Sequence, residues 1–284
     1  MWRLVLVSII WAFSFGLIKG KLTGLDSGLV ASIRLILCFL CFLPFMLKVS
    51  GAAIRYRLMG LGAIQFGIMY LAYIESYQYL PGYLVAVFTI FTPVYVILLE
   101  SLWGRTQRIG FAVGAALLSV AGAATIVFKV PQQDDYLTGL LILQLANIAF
   151  AFGQWQYQRW APNDSQAGNM FWIYLGAACL ASIVSFPTLD WSAVDISVEQ
   201  GMALLYLGII ASGGCFYLWN TGAKQVPVPA LAAMNNGYIP FAVIFSVVIW
   251  DESADWLRII PGSLLIICAL WLAYKSRMQP KVAI

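Results

Sequence analysis

Trp11-Ala-Phe-Ser-Phe-Gly16 and Ile148-Ala-Phe-Ala-Phe-Gly153 share four of six residues at an offset of 137 positions. Each stretch lies within an apolar segment, and the second segment is the fifth after the first. Thr92-Pro93-Val94 and Ile239-Pro240-Phe241 form a later pair, in which a proline interrupts an apolar segment at an offset of 147. We interpret the two pairs as an internal repeat with five apolar segments in each unit.

The composition indicates that lipid is the solvent of this fold. The 284 residues are 62% hydrophobic and 10% charged, whereas an average soluble domain is about 45–50% apolar and about 25% charged. Because irregular backbone is not tolerated in lipid, we predict an all-α integral membrane protein with ten transmembrane helices. The predicted spans are residues 2–18, 27–47, 58–79, 83–103, 109–128, 137–157, 167–186, 201–222, 229–250 and 256–274.

Five spans in each unit turn the second unit upside down, because an odd number of crossings reverses the side on which the next crossing begins. We assign the first five-helix repeat to residues 1–130 and the second, inverted repeat to residues 137–278. Charge supports the inversion, since Glu252 lies 147 positions after Arg105 and equivalent helix ends therefore carry opposite charge. Inverted repeats of this kind are typical of secondary transporters.

Lysine and arginine are unequally distributed between the two sides of the predicted bundle. If the N-terminus is cytoplasmic, eleven cations lie in cytoplasmic segments and four lie in outer segments. The positive-inside rule therefore predicts that both termini are cytoplasmic and that the loops around Asp134 and Asp195 face outward. We expect a multi-pass protein of a bacterial inner membrane.

Several motifs, taken in order, are similar to those of one family. They are Trp11-Ala-Phe-Ser-Phe, Arg34 within the second span, Ser-Tyr-Gln-Tyr-Leu-Pro-Gly at 76–82, Pro93 with Pro240, and Glu252 before the last span. Over essentially its whole length the chain resembles the EamA-type transporters of the drug/metabolite transporter superfamily. The resemblance implies a central cavity lined mainly by helices 1, 3, 4, 6, 8 and 9, and the transport of amino acids or other small metabolites.

Polar and aromatic side chains within the spans indicate where a substrate would bind. Polar side chains in a membrane helix generally face the protein interior or an aqueous cavity, although amides also join helices to one another. Aromatic rings stack on an aromatic substrate or hold a cation over their faces. We predict substrate contacts from Trp11, Ser14, Tyr70, Tyr73, Glu75, Asn147, Gln154, Trp219, Asn220, Asn235 and Asn236, and helix breaks at Pro93 and Pro240.

Three of the ionisable residues within the predicted spans are assigned roles, namely Glu75, Arg34 and Glu100. Glu75 either contributes charge to the substrate site or forms an ion pair with Lys19, Lys21 or Arg34. We assign Arg34 to helix packing. Glu100 is assigned to a structural ion pair with Arg105 or Arg108, which lie within reach of a snorkelling side chain.

The sequence predicts a secondary active transporter that moves a small metabolite by alternating access, in the first place an exporter of amino acids, aromatic ones among them, or of related amines. The alternative is an uptake carrier of a small organic cation such as a quaternary amine, with Glu75 and the aromatic side chains as its cage. A membrane-embedded enzyme or a lipid-handling scaffold is the remote alternative. An enzyme needs a nucleophile grouped with a base, or a metal cluster, and we find no such grouping among Glu75, Glu100 and the scattered cysteines.

Other chemistry has little support in this sequence. The chain contains no histidine, so His-based metal sites and Ser-His-Asp triads are excluded. The loops are too short for a nucleotide-binding domain. We therefore expect no catalytic residues, no metal, no cofactor and no nucleic-acid partner. The expected partners are a small-molecule substrate, the lipid bilayer, and a coupling proton or other ion, while the oligomeric state is left open.

The predicted orientation is tested by labelling single cysteines introduced into a background that lacks the native cysteines. Asp195→Cys is expected to react with an impermeant thiol reagent added outside intact cells. Arg57→Cys is expected to react only after the cytoplasmic side is opened to the reagent. Labelling of both positions from the same side would contradict the inverted repeat.

Overall fold

The computed structural model describes residues 1–22, 24–80, 85, 88–103, 109–127, 136–241, 244–245 and 256–275, and within these ranges the regular structure is helical, without strands. We label the helices in chain order. They are α1 Trp2–Lys21, α2 Ser27–Lys48, α3 Ala52–Gln78, α4 Thr92–Trp103, α5 Ile109–Val127, α6 Tyr136–Trp160, α7 Gln166–Ser185, α8 Val198–Ala223, α9 Val228–Met234 and α10 Trp256–Lys275.

The predicted all-α membrane fold is confirmed. Within the described ranges, five segments are long and apolar enough to cross a membrane, namely α2, α3, α7, α8 and residues Leu137–Trp160 of α6. Shorter apolar helices occur in α1, α4, α5 and α10. The count of ten spans stays a prediction, and the predicted features Pro81-Gly82, Arg105, Arg108, Asp134 and Glu252 lie outside the described residues.

Side-chain caps fix where three of the helices begin. Asp26 accepts a hydrogen bond from the backbone N–H of Leu29 (2.8 Å) at the start of α2. Ser165 caps α7 in the same way. Ser197 forms a reciprocal capping box with Gln200 at the start of α8. These bonds satisfy N–H groups that have no partner within the first turn of a helix.

Helices at matching places in the two predicted repeats pack together. α2 packs on α7, and α5 packs on α10. α3 approaches α7 closely because both helices carry glycine at the contact. A Cβ atom on Gly62 would lie 1.9 Å from the carbonyl oxygen of Ile173, and one on Gly176 would lie 2.1 Å from that of Met59. Small residues at such contacts let the backbones of membrane helices pack together.

α3 and α8, which are equivalent under the five-helix offset, each contain a π-helical stretch. The stretch in α3 is Ala63–Ile68 and the stretch in α8 is Tyr206–Gly214. A π turn carries one more residue than an α turn, shifts the faces of the helix on its two sides, and is frequent at functional sites. Both stretches lie beside the cavity described below.

The helices that contain Pro93 and Pro240 are both interrupted. Turn structure occupies residues 90–91 immediately before α4, in which Pro93 is the second residue. Turns at 235–238 follow α9, and Pro240 comes directly after the first residue of the helical stretch that resumes there. Proline has no backbone N–H and therefore cannot complete the hydrogen bonds of the preceding turn.

Amide side chains from other helices bind carbonyl groups beside the first of these breaks. The carbonyl of Phe88 accepts hydrogen bonds from Asn147 (2.9 Å) and Gln144 (3.3 Å) of α6. The carbonyl of Ile90 accepts one from Asn236 (3.2 Å). Polar backbone groups in a membrane protein need such partners because lipid offers none.

A buried hydrogen-bonded layer joins α3, α6, α8 and the break after α9. Gln65 donates to Asn220 (3.0 Å), Trp219 donates to Gln154 (2.9 Å), and Gln154 donates to Asn235 (3.1 Å). The first four of these side chains are fully buried and Asn235 is 7% exposed. We call these five residues the polar layer.

The close contact between α3 and α7 predicts a strong dependence on glycine. Gly62→Ala is expected to lower the free energy of unfolding by about 1–3 kcal/mol, because the added methyl group overlaps the backbone of α7. Gly60→Ala is the matched control, since a Cβ atom there meets nothing within 4 Å. It should leave stability unchanged or raise it by up to about 1 kcal/mol. Equal effects of the two substitutions in reversible detergent unfolding would refute the close approach.

The polar layer predicts coupling between Gln65 and Asn220. Asn220→Leu is expected to cost about 0.6–2 kcal/mol, because Gln65 then keeps a buried N–H group without its acceptor. Adding Gln65→Leu removes both polar groups, so the double variant should be more stable than the sum of the two single effects implies. A double-mutant cycle measures this difference, and additivity within about 0.3–0.5 kcal/mol would mean that the bond contributes nothing.

Candidate functional site

A cavity of about 130 Å³ lies between the helices of the two predicted repeats. The described residues that line it come from α1, α2, α3, α4, α6, α8 and the segments beside the two helix breaks. They are Trp11, Ser14, Ile18, Arg34, Met69, Tyr70, Tyr73, Thr89, Thr92, Ala146, Asn147, Phe150, Ala211, Phe216, Asn235 and Tyr238.

Aromatic rings form a large part of the wall. The ring of Trp11 lies 5.0 Å from that of Phe216 and 6.2 Å from that of Phe150, measured between centroids. The indole N–H of Trp11 donates to the carbonyl of Ala211 (2.8 Å), which fixes the orientation of the ring. This part of the cavity suits a flat or compact apolar group, because edge and face contacts between rings are favourable at these distances.

Most polar groups on the wall are already bonded within the protein. The hydroxyl of Ser14 donates to the carbonyl of Ile10 (2.8 Å), and that of Thr92 donates to the carbonyl of Thr89 (2.9 Å). Asn147 differs from these, because its Nδ2 is bonded to Phe88 and Gln144 whereas its Oδ1 has no hydrogen bond to the described residues. Asn147 therefore offers an acceptor to a bound molecule.

Arg34 is a buried cation on the same wall. Its Nη2 donates to the hydroxyl groups of Tyr70 and Ser212, at 3.0 Å each, and the guanidinium carbon lies 4.6 Å from the centroid of the Tyr70 ring. Nε and Nη1 have no hydrogen-bond partner among the described residues. As far as its described residues show, the site is apolar and aromatic, with one positive charge and few uncommitted polar groups.

One end of the cavity is closed by bonds between helices. In chain order, Gln154 of α6 and Trp219 and Asn220 of α8 come after the cavity residues of their helices, whereas Gln65 of α3 comes before those of its helix. The polar layer therefore lies at one end of the cavity. Beyond the layer, Glu100 accepts a hydrogen bond from the indole of Trp155 (2.7 Å) and lies 3.5 Å from Arg159. Lys224 donates to Asn163 (2.8 Å) at the same end, and its burial lowers its pKa. This is the end that the sequence predicts to be cytoplasmic.

Only some of the predicted contact residues line the cavity, namely Trp11, Ser14, Tyr70, Tyr73, Asn147 and Asn235. Asn235 is also part of the polar layer, whereas its other predicted members, Gln154, Trp219 and Asn220, do not line the cavity. The Nδ2 of Asn236 is bonded to the carbonyl of Ile90 and to Ser119.

Glu75 also lies away from the wall, and its carboxylate accepts a hydrogen bond from Ser27 (2.7 Å). It makes no ion pair with Lys21 or Arg34, and the side chain of the third predicted partner, Lys19, lies outside the described part of the structure. Glu100 pairs with Arg159, which was not one of the predicted partners.

Several cavity residues were missed from the sequence. Arg34 was assigned to packing, and it does bond two neighbouring helices, but it also lines the cavity. Thr89 and Tyr238 meet across the two breaks with their hydroxyl groups 2.9 Å apart. Their positions near Pro93 and Pro240 were a usable signal, because broken helices in transporters commonly surround the binding site.

Comparison with known proteins agrees with this architecture. The sequence profile of the EamA-like transporter family matches residues 1–128 and 137–275. A solved crystal structure superposes with a TM-score of 0.78, covering 98% of this chain and 97% of the other at 16% identity. At that identity the likeness shows the fold alone.

Two curated relatives are similar over nearly their whole length. The biotin transporter of Escherichia coli K12 is 35% identical over 280 residues, which cover 96% of this chain and 92% of that protein. The biotin transporter of Salmonella typhimurium is 35% identical over 288 residues, which cover 99% and 94%. The chain therefore belongs to the EamA-like transporter family of the drug/metabolite transporter superfamily and is a multi-pass small-molecule transporter of a bacterial inner membrane.

Proposed function

We propose that this transporter carries biotin or a closely related small organic acid. Biotin combines a compact bicyclic ring, a urea group with two N–H donors, and an aliphatic chain that ends in a carboxylate. The names of the relatives and their 35% identity over nearly the whole chain support this substrate class.

The observation that carries this proposal is the uncommitted Oδ1 of Asn147 beside an aromatic wall. A urea N–H can donate to that oxygen while the apolar face of the ring packs against Trp11, Phe150 and Phe216. Burying the ring there is favourable, and the amide oxygen gives the polar edge of the ring a partner.

Amines fit this cavity less well than acids do. The ammonium group of an amino acid or of a primary amine needs acceptors or a carboxylate, and the described residues that line the cavity include no carboxylate. A quaternary amine would sit beside the positive charge of Arg34, while Glu75 is bonded to Ser27 away from the wall. The charge of the site therefore favours an anionic substrate over both predicted classes.

Alternating access between the two repeats is the mechanism that we propose. Residues 1–130 and 137–278 would rock around the cavity, with both termini in the cytoplasm. The closed end at the polar layer and Glu100 would open in the opposite state. A proton or another ion, or the substrate gradient itself, would drive the cycle.

The proposal is tested by flux of radiolabelled biotin into proteoliposomes that contain the purified protein. We expect saturable uptake that excess unlabelled biotin abolishes and that equal concentrations of phenylalanine or choline leave unchanged. Transport of phenylalanine or choline in place of biotin would restore the corresponding alternative.

A matched pair of variants ties the flux to the cavity. Ala146→Phe fills part of the cavity and should reduce uptake by at least about tenfold, as expected for a bulky side chain in a packed site. Ile148→Phe introduces the same side chain on the same helix at a position that is 45% exposed, and it should transport normally. Thermal unfolding of both variants checks that they are folded.

A further inference from the structure

The hydrogen bonds of Arg34 account for only part of its donor capacity. A guanidinium group carries five N–H donors, and Arg34 uses those of Nη2 to bond Tyr70 and Ser212. The three N–H groups on Nε and Nη1 have no partner among the described residues, although the side chain is only 4% exposed. Hydrogen-bond donors of this strength are rarely left unpaired inside a protein.

The positive charge of Arg34 also lacks a counter-ion within the described part of the chain. No carboxylate there lies within 4.0 Å of its nitrogen atoms. Glu75 is bonded to Ser27, and Glu100 is bonded to Trp155 and Arg159. A buried charge without a partner is costly, and ionisable residues kept within a membrane commonly mark a substrate pathway.

The bonds that Arg34 does make hold it at the boundary between the repeats. The hydroxyl groups of Tyr70 and Ser212 lie 2.6 Å apart, and Ser212 in turn donates to the carbonyl of Leu207 in the π-helical stretch of α8 (2.6 Å). The guanidinium group is therefore fixed along one edge before any ligand arrives. Such preorganisation lowers the cost of binding.

We propose that Arg34 binds the carboxylate of the transported molecule and thereby makes the transporter select small organic acids over their neutral analogues. The use of biotin as a ligand rests on the proposed function, whereas the carboxylate preference rests on the unpaired donors of Arg34. Charge-assisted hydrogen bonds from a guanidinium group to a carboxylate are short and strong. Arg34 is then a specificity-determining residue as well as a link between α2, α3 and α8.

The test compares matched acids and amides on the full-length protein in nanodiscs. The first pair is biotin and its primary amide, and the second is 3-phenylpropanoate and its primary amide. The wild type is expected to bind each acid about 10- to 100-fold more tightly than its amide, the loss expected when a hydrogen bond to a charged group is removed. Arg34→Gln should abolish this preference, so that each acid and its amide bind with similar affinity.

Arg57→Gln is the matched control, because it removes the same charge from an exposed position outside the cavity. It should keep the preference for acids. If Arg34→Gln does not fold, Arg34→Lys takes its place, and its preference should fall several-fold because lysine lacks the planar fork. An unchanged preference in a folded Arg34 variant would overturn the inference and leave Arg34 as a structural link.

The two ligand pairs separate this inference from the proposed function. A preference for both acids that depends on Arg34 supports both. Selective binding of 3-phenylpropanoate without binding of biotin supports the role of Arg34 and overturns biotin as the substrate. Equal binding of biotin and its amide, with no preference in the second pair, overturns the role of Arg34 and leaves biotin as a ligand. Failure of every ligand to bind overturns both.

Discussion

Lipid offers no hydrogen bonds, so each polar group exposed by a broken helix must find its partner within the protein. The segments beside Pro93 and Pro240 impose this constraint at the centre of the bundle. Asn147 and Asn236 provide such partners by donating hydrogen bonds to the carbonyls of Phe88 and Ile90. These bonds bring α6 and the segment after α9 against the break before α4, and the cavity lies among the same elements.

Away from the broken helices, the bundle contains a close backbone contact between α3 and α7. α3 and α7 meet through Gly62 and Gly176, where the backbones touch without intervening side chains. The π-helical stretch of α8 places Ser212 against Arg34 and Tyr70, while that of α3 contains Gln65 of the polar layer. One wall and the closed end of the cavity thus depend on departures from ideal helix geometry in two equivalent helices.

The fold could be predicted from the sequence because it depends on two features that are visible there, the lengths of the apolar segments and a repeated motif. The position of each polar side chain was harder to predict. Amides such as Gln144, Asn147 and Gln154 indicate which face of α6 turns inward. They do not show whether a given amide contacts substrate, backbone or another side chain. Gln154 and Asn220 share the inward faces that were predicted, yet they bond within the polar layer. Arg34 was assigned to packing alone, whereas the structure shows that a residue can bond neighbouring helices and also line the cavity.

Several amide side chains of α6 are bonded to backbone carbonyls. Gln144 and Asn147 of α6 both donate to the carbonyl of Phe88, and Gln158 donates to the carbonyls of Ala223, the last residue of α8, and Val226, which follows it. The amide nitrogens of these three side chains are therefore used in holding the backbone. What distinguishes one ligand from another is the capacity that remains, which on this wall includes the Oδ1 of Asn147 and three N–H groups of Arg34. In a membrane transporter the informative polar atoms are thus the few that the fold does not itself require.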